Sequence, residues 1–368
     1  MARPDILVLG GGIIGCALAE ELARRGARVS LIDQGRLGAE ASSAAAGILA
    51  AHMDIPRPGP FFELCQAARR IYPSWISRLE RSSGCPVGFH VDGILFLAKT
   101  RSEERVMAHR MRWQLRRGLR VERWSPAEVR RREPAVDGRF RCGFAFPTEA
   151  QVDNVRLMEA LARACRKAGV AVREDTSVRR LWVRGGRVDG VETDHGRLRA
   201  SVVVNCLGSW ANLRGASALR LPVEPARGQM LVFRGPPRLF RRAVMSTAAY
   251  AVQRRDGRIL VGSTIERAGF HKALTLEGMH DILCGARRIC SKLEQSTFLE
   301  GWAGFRPRTP DDQPILGATP VDGLHVATGH FRHGILLAPV TAQLMAELIL
   351  TGRSSFDLRS FSPTRFSG

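Results

Sequence analysis

The stretch from Asp5 to Asp33, DILVLGGGIIGCALAEELARRGARVSLID, restricts the fold more than any other part of the chain. Ile6, Leu7, Val8 and Leu9 form a short apolar run of strand type, and Gly10, Gly12 and Gly15 follow it at G-x-G-x-x-G spacing. An amphipathic helix is expected through Ala17, Leu18, Glu21, Leu22 and Arg25, with Gly26 as its C-cap. A second strand, Val29 to Ile32, ends on Asp33. This order predicts a strand–helix–strand unit that binds a dinucleotide. Gly10 permits the tight turn, Gly12 lets the backbone approach a pyrophosphate, and Gly15 lets helix and strand pack closely. The helix N-terminus offers free N–H groups to the phosphates, and Asp33 can accept a hydrogen bond from a ribose hydroxyl. A carboxylate there repels the extra phosphate of NADP but leaves FAD and NAD both open.

At 368 residues the chain is long enough for two domains. Its 45% hydrophobic content is that of an ordinary globular protein. No uninterrupted apolar run reaches the roughly 18 residues that cross a bilayer, so no membrane span is expected. The first apolar run feeds straight into the glycine-rich turn rather than reading as a leader, which predicts a cytoplasmic location. Eight cysteines are scattered without a C-x-x-C pair, so buried reduced thiols are expected rather than a zinc or dithiol site. Lys and Arg number 56 against 35 Asp and Glu, a net charge of +21. Such a surface attracts polyanions. The arginines, however, are dispersed from Arg24 to Arg365 without an aromatic-interleaved basic motif, so no specific nucleic-acid site is predicted. The cluster from Arg116-Arg117 to Arg130-Arg131-Arg132 reads as a solvated helical face.

Past Asp33, residues 35–52 are small and carry few charges, which suits backbone packed against an extended ligand. Phe61 to Ser82 reads as an amphipathic helix with Leu64, Ala68, Ile71, Trp75 and Leu79 on one face. Phe89–Val91 and Ile94–Leu97, joined at Asp92-Gly93, predict a hairpin. A basic helix, Glu103 to Arg117, and a helix start at Ser125 follow, then a strand at Phe144–Phe146. Asp153 is placed to cap a helix from Asn154 to Lys167 that ends before Gly169, with a strand at Val170–Arg173. Val178–Val183 and Arg187–Thr193 read as paired strands, and Val202–Gly208 as a buried strand ending in glycine. Pro222–Phe233 and Ala249–Ser263 are strand-rich, a helix spans Leu276 to Lys292, and a strand at Leu324–Ala327 precedes a last helix starting near Ile335. Pro339 is expected within its first turn. The fold class predicted is α/β (α+β): a Rossmann-like dinucleotide-binding domain with an inserted, mainly antiparallel substrate domain. The binding domain is expected from 1–85, 148–220 and 304–368, and the substrate domain from 86–147 and 221–303.

Several stretches carry a resemblance over nearly the whole length: GWAGFRPRTPDDQPILG (301–317), GLHVATGHFRHGILLAPVTAQLM (323–345), SSAAAGILAAH (42–52), VVVNCLGSWA (202–211) and EPARGQML (224–231). With the opening fingerprint they resemble the D-amino-acid oxidase and sarcosine oxidase superfamily of flavoproteins, and within it the glycine oxidases of the thiamin-biosynthesis type. The resemblance implies FAD rather than NAD. It implies oxidation of glycine, sarcosine or a small D-amino acid by hydride transfer to flavin N5, with O2 as acceptor and glyoxylate or a 2-oxo acid, ammonia and hydrogen peroxide as products. A hand-off to a thiazole synthase and a homotetramer are implied as well.

Hydride transfer needs no strong general base once the amine is neutral, so no acid–base catalyst is expected. It needs positioning over the flavin, exclusion of water and a clamp on the carboxylate. Arginine suits the clamp because its planar fork pairs bidentately with a carboxylate. The resemblance implies that role for Arg306, in the loop GFRPRTPDDQP, with Tyr250 assisting and Arg332 near the substrate. It implies cofactor contacts from Gly10, Gly12, Ile13, Ile14, Gly15, Asp33, Ser42, Ser43, Gly47, Ile48 and Leu49. Val178, Cys206, Gly208, Trp210, Gly329, His330, Arg332, His333, Gly334, Ile335 and Leu336 complete that set. The last helix is expected to point its N-terminus at the flavin, stabilising the reduced anion. His330 and His333 have no evident third ligand, so no metal is expected. No cysteine lies beyond Cys290, which predicts non-covalent FAD. His333 stands where the family commonly has asparagine, Ile265 where it often has methionine, and Cys206 where it has alanine. The rival readings are a D-amino-acid dehydrogenase with a quinone or electron-transfer acceptor and a flavin-bearing RNA-associated protein.

Overall fold

The first strand is apolar and buried from Ile6 to Leu9, so it must have neighbours on both edges and both faces. The structure is a computed structural model that describes residues 5–215 and 220–366. β1 (Asp5–Leu9) turns into α1 (Ile13–Arg24), and Gly26, at φ +87°, brings the chain back into β2 (Arg28–Ile32). A short α2 (Ala41–Ala44) and β3 (Ile48–Leu49) lead to α3 (Pro60–Ser83), which buries Leu64, Ala68, Trp75, Ile76 and Leu79 on one stripe. Next come β4 (Ile94–Ala98), α4 (Arg101–Arg116), β5 (Glu122–Trp124) and α5 (Pro126–Arg132). Both of those helices open with a complete capping box, Thr100 with Glu103 and Ser125 with Glu128.

β6 (Cys142–Phe146) and β7 (Ala150–Gln151) precede α6 (Asn154–Lys167), whose free N–H groups at Val155 and Arg156 donate to the Asp153 carboxylate. Then follow β8 (Ala171–Arg173), β9 (Val178–Arg184), β10 (Arg187–Thr193), β11 (Gly196–Arg199) and β12 (Val202–Asn205). The last third holds β13 (Glu224–Arg234), β14 (Ala243–Met245), β15 (Tyr250–Gln253), β16 (Arg258–Gly262) and α7 (Leu276–Arg287). It closes with β17 (Thr297–Arg308), β18 (Ile315–Ala318), β19 (Leu324–Thr328) and α8 (Gly334–Thr351).

These strands form two large sheets. One has six strands in the order β18-β19-β12-β1-β2-β8, parallel except for the antiparallel β18 edge. Its register sets Leu9 beside Asn205 and Ile32. α1 packs between α6 and α8, and α3 packs on both of those helices, so one core runs through the whole layer. The other sheet has eight strands in the order β17-β13-β16-β15-β14-β4-β6-β5, antiparallel except where β14 meets β4. The α/β architecture with an antiparallel second sheet is the one expected. A three-stranded antiparallel sheet, β11-β10-β9, packs on the parallel sheet through Leu181, Val188 and Val191.

Four local expectations change. Phe89–Leu97 is not a hairpin: His90 bridges Gln151, while β4 pairs with β6 and β14. Gly93, at φ +82°, turns the chain between those partners, and its N–H donates to the Glu149 carbonyl. α7 stops at Arg287, and Ser291–Gln295 is a separate 3₁₀ turn. Pro339 lies in the second turn of α8, not the first. Phe331–Thr351 is long and apolar enough to cross a membrane, contrary to expectation, yet it is largely buried. It is a core helix, packed on α1 and α3.

Candidate active site

Ligands of an open parallel sheet bind beyond the carboxyl ends of its strands. Here Gly10 follows β1, Asp33 follows β2, Cys206 follows β12 and Gly329 follows β19. A cleft of about 360 Å³ begins at these ends and runs to the antiparallel sheet, where Tyr250 and Arg306 close it. Its Asp33 end is walled by glycine backbone. A Cβ on Gly10, at φ +97°, would come within 2.5 Å of the Cys206 carbonyl oxygen, and one on Gly15 within 1.9 Å of the Gly10 oxygen. Larger residues cannot build this turn.

The α1 N-terminus has no capping side chain at Gly12, and the Ile13 N–H donates to Ser42 Oγ at 2.9 Å. Asp33 accepts from the N–H groups of Gly11 at 2.6 Å and Gly35 at 2.9 Å. Burial pushes its pKa up, and these two donors pull it back. The middle of the cleft is lined by Ala44, Ala45, Ala46, Gly47 and Gly208. A Cβ on Gly208 would meet no protein atom within 4 Å, so its positive φ of +56° is the only demand the protein itself makes there. Behind the small residues lies a polar brace: Arg254 donates to the Ala46 carbonyl, Gln151 and Asn154, and Asn154 holds the carbonyls of Ser42 and Ser43. Burial pulls the Arg254 pKa down to about 10, so the guanidinium stays charged.

At the far end Arg306 stands on β17, paired in register with Ala226 of β13, rather than in a loop as expected. Its Nη1 donates to the Thr264 carbonyl at 3.1 Å and its Nη2 to Ser263 Oγ at 2.8 Å. No carboxylate lies within ion-pairing distance among the described residues. Burial pulls its pKa down, the neighbouring Tyr250 raises it, and Arg332 lowers it further. Gly228 makes room for the head group, since a Cβ there would fall 2.0 Å from Nη1. Tyr250 of β15 opposes Gly262 of β16, and its hydroxyl meets Met230 Sδ at 3.0 Å.

Arg332 also lines the cleft, but its guanidinium pairs with Asp54 at 3.1 Å and lies over the Phe331 ring at 5.2 Å. His330 and His333 are buried and make different contacts: His330 Nε2 meets Thr341 Oγ1 at 3.1 Å, and His333 packs edge-on against Phe61. Burial depresses both imidazoles, that of His330 to about 3. Among the described residues no group of three His, Cys, Asp or Glu could hold a metal. Cys206 also reaches the cleft, and burial pushes its thiol far above the ordinary range, so it is held protonated and un-nucleophilic.

Of the residues singled out above, Gly10, Gly12, Ile13, Ile14, Asp33, Ser42, Gly47, Ile48, Cys206, Gly208 and Trp210 line the cleft, as do His330, Arg332, His333, Gly334, Ile335 and Leu336. Gly15, Ser43, Leu49, Val178 and Gly329 do not line it. Gly15 packs on the Gly10 carbonyl, Leu49 is in the main core, and Val178 packs in the cluster under the three-stranded sheet. Pattern reading missed Asp54 and its anchor. The buried Glu149 carboxylate accepts from the N–H groups of Ala51, His52 and Met53 and thereby fixes the loop that carries Asp54. No spacing in the sequence marks a contact between positions 52 and 149.

An elongated cleft walled by glycine at one end, small residues along its middle and an uncapped α8 N-terminus (Gly334, Ile335, Leu336) fits a dinucleotide joined to a planar ring system. The model of the FAD dependent oxidoreductase family, DAO, matches residues 5–348, and the chain belongs to that family. FAD is accordingly its cofactor, and the residues present fit it. Among curated relatives, the chain is 38% identical over 372 residues to the bifunctional protein ThiO/ThiG of Synechocystis sp., a match covering 98% of this chain and 54% of that protein. The chain thus spans about half the length of that relative. It is 34% identical to the glycine oxidase of Geobacillus kaustophilus, covering 100% of this chain and 98% of the other. The crystal structure of glycine oxidase from the same organism superposes with a TM-score of 0.96 at 32% identity, over 100% of both chains.

Proposed function

We propose that this chain oxidises glycine, or an equally small amine-bearing acid such as sarcosine, to glyoxylate, with O2 as the electron acceptor. The observation that carries this reading is Arg306, a half-buried guanidinium at the end of the cleft with no carboxylate partner. A desolvated, unpaired cation is costly, and a substrate carboxylate would compensate it. Thr264 and Ser263 fix the plane of the fork, and Tyr250 places a hydroxyl at the same end of the cleft. Ser246, Thr247, Ala248 and Ala249 also line the cleft there, beside Tyr250.

FAD, when bound, accepts a hydride from the substrate α-carbon and passes the electrons to O2. The protein's share is then to hold the carboxylate, present the α-carbon and keep water out. His330, held neutral, adds no charge to the wall of the cleft. For glycine the balance is glycine, O2 and water giving glyoxylate, ammonia and hydrogen peroxide. The relatives named glycine oxidase support the substrate class, and the ThiO/ThiG relatives support a hand-off of product to a thiazole synthase. Anaerobic mixing of the FAD-loaded protein with glycine, sarcosine, D-alanine and D-proline tests the reading. Glycine or sarcosine is expected to bleach the flavin fastest, with peroxide released on admitting air. A flavin that none of the four bleaches would overturn it.

A further inference from the structure

The segment between β16 and α7, residues 263–275, has no regular structure of its own, yet it is pinned at both ends. Near its start Glu266 forms a bridge to Arg227 of β13, with N–H and carbonyl exchanged between the two backbones. The buried Arg227 also grips the Glu266 carboxylate and donates to the His271 carbonyl at 3.0 Å. At the other end Gln229, fully buried, exchanges hydrogen bonds with Thr275 and donates to Glu266. Between these anchors the segment reaches out of the antiparallel sheet to residues that line the cleft on the parallel-sheet side.

Two contacts are made there. Phe270 stacks on Trp210 with ring centroids 5.1 Å apart and planes inclined by 29°, and Phe305 packs edge-on to both rings. Lys272 Nζ lies 2.8 Å from Glu40 Oε2, joining positions 232 residues apart. Trp210 and Glu40 both line the cleft, as does Ile265 within the segment itself. Phe270 remains 50% exposed despite its stack, so core formation does not account for its place.

We propose that residues 263–275 are a strap that retains FAD, fastened by the Lys272–Glu40 ion pair and the Phe270–Trp210 stack. The proposal rests on the family's cofactor and not on which amine is oxidised. FAD held in this cleft would then leave only when both fastenings part. Ser263 and Thr264, at the root of the same segment, hold the Arg306 guanidinium, so the strap joins cofactor retention to the substrate end of the cleft.

The test is the rate at which FAD leaves the loaded protein, followed by the fluorescence of released flavin. Lys272→Gln is expected to speed release by about twofold to fivefold, the effect of an exposed ion pair. Phe270→Ala is expected to speed it by roughly threefold to tenfold. In a double-mutant cycle, Lys272→Gln with Glu40→Gln should release FAD no faster than either single variant. Raising the salt concentration should speed release from the unmodified protein and leave Lys272→Gln unmoved. Unchanged release in both Lys272→Gln and Phe270→Ala, or Lys272 and Glu40 effects that simply multiply, would overturn the strap.

Discussion

Arg306 shows how a residue acquires a role that its chemistry alone does not confer. Any arginine can pair with a carboxylate, and many here do so with a neighbour, as Arg24 does with Glu21 and Arg365 with Asp311. Arg306 differs because β17 carries it into a desolvated cleft where its partners are a carbonyl and a hydroxyl. Its motif was legible in the sequence, but its strand position and its hold on Thr264 were not, because they depend on the pairing of β17 with β13. Asp54 was invisible because its place depends on the long-range hold of Glu149 on its loop. His330 gives a test at this scale. Burial holds its pKa at about 3 against an ordinary 6.5, so between those values the unfolded chain binds a proton that the folded chain refuses. Stability therefore falls as pH drops through that window, by up to about 1.4 kcal/mol per pH unit for this one group. Denaturant unfolding between pH 7 and 4 should show that slope, flattened in His330→Gln; an unaltered slope would show that His330 is not the group.

At the scale of elements, α8 explains why local rules were read correctly and still placed one feature wrongly. Its apolar composition on all sides marks a helix buried on all sides, and α1, α3 and the parallel sheet supply the burial. Pro339 suggested a first turn because proline is tolerated there. In the structure it lies one turn further in, where its missing N–H leaves the Ile335 carbonyl without its helical donor. Tyr72 of α3 supplies one, with its hydroxyl 3.2 Å from that oxygen. This compensation joins positions 72 and 335, and no local pattern announces it. Tyr72→Phe should cost about 1 to 2 kcal/mol of stability. Placed in a Pro339→Ala background, which restores the backbone donor, the same substitution should cost markedly less. Equal costs in both backgrounds, measured by denaturant unfolding, would remove the compensation. Elements whose signals are wholly local, such as the α6 cap at Asp153 and the opening glycine turn, were legible to within a residue or two.

At the scale of the whole molecule, the cleft exists because strands from distant parts of the chain lie side by side. β12 sits beside β1 and β19 beside β12, so residues 205–210 and 329–336 meet Gly10 at one end of a single sheet. The alternation of textures along the sequence indicated such an assembly, whereas strand order and register come from long-range pairing that a linear pattern does not encode. Surface arginines pair with carboxylates or lie over rings, as three do on Trp182. What the whole arrangement predicts is a division of labour, with the parallel sheet holding FAD and the antiparallel sheet holding the amino acid. Anaerobic reduction of the bound flavin by glycine, titrated in the unmodified protein and in Arg306→Ala, tests that division most directly. The account predicts an unchanged flavin spectrum and a glycine requirement raised by roughly a hundredfold or more, the loss of a charged, desolvated contact. Equal glycine dependence in the two proteins would contradict it.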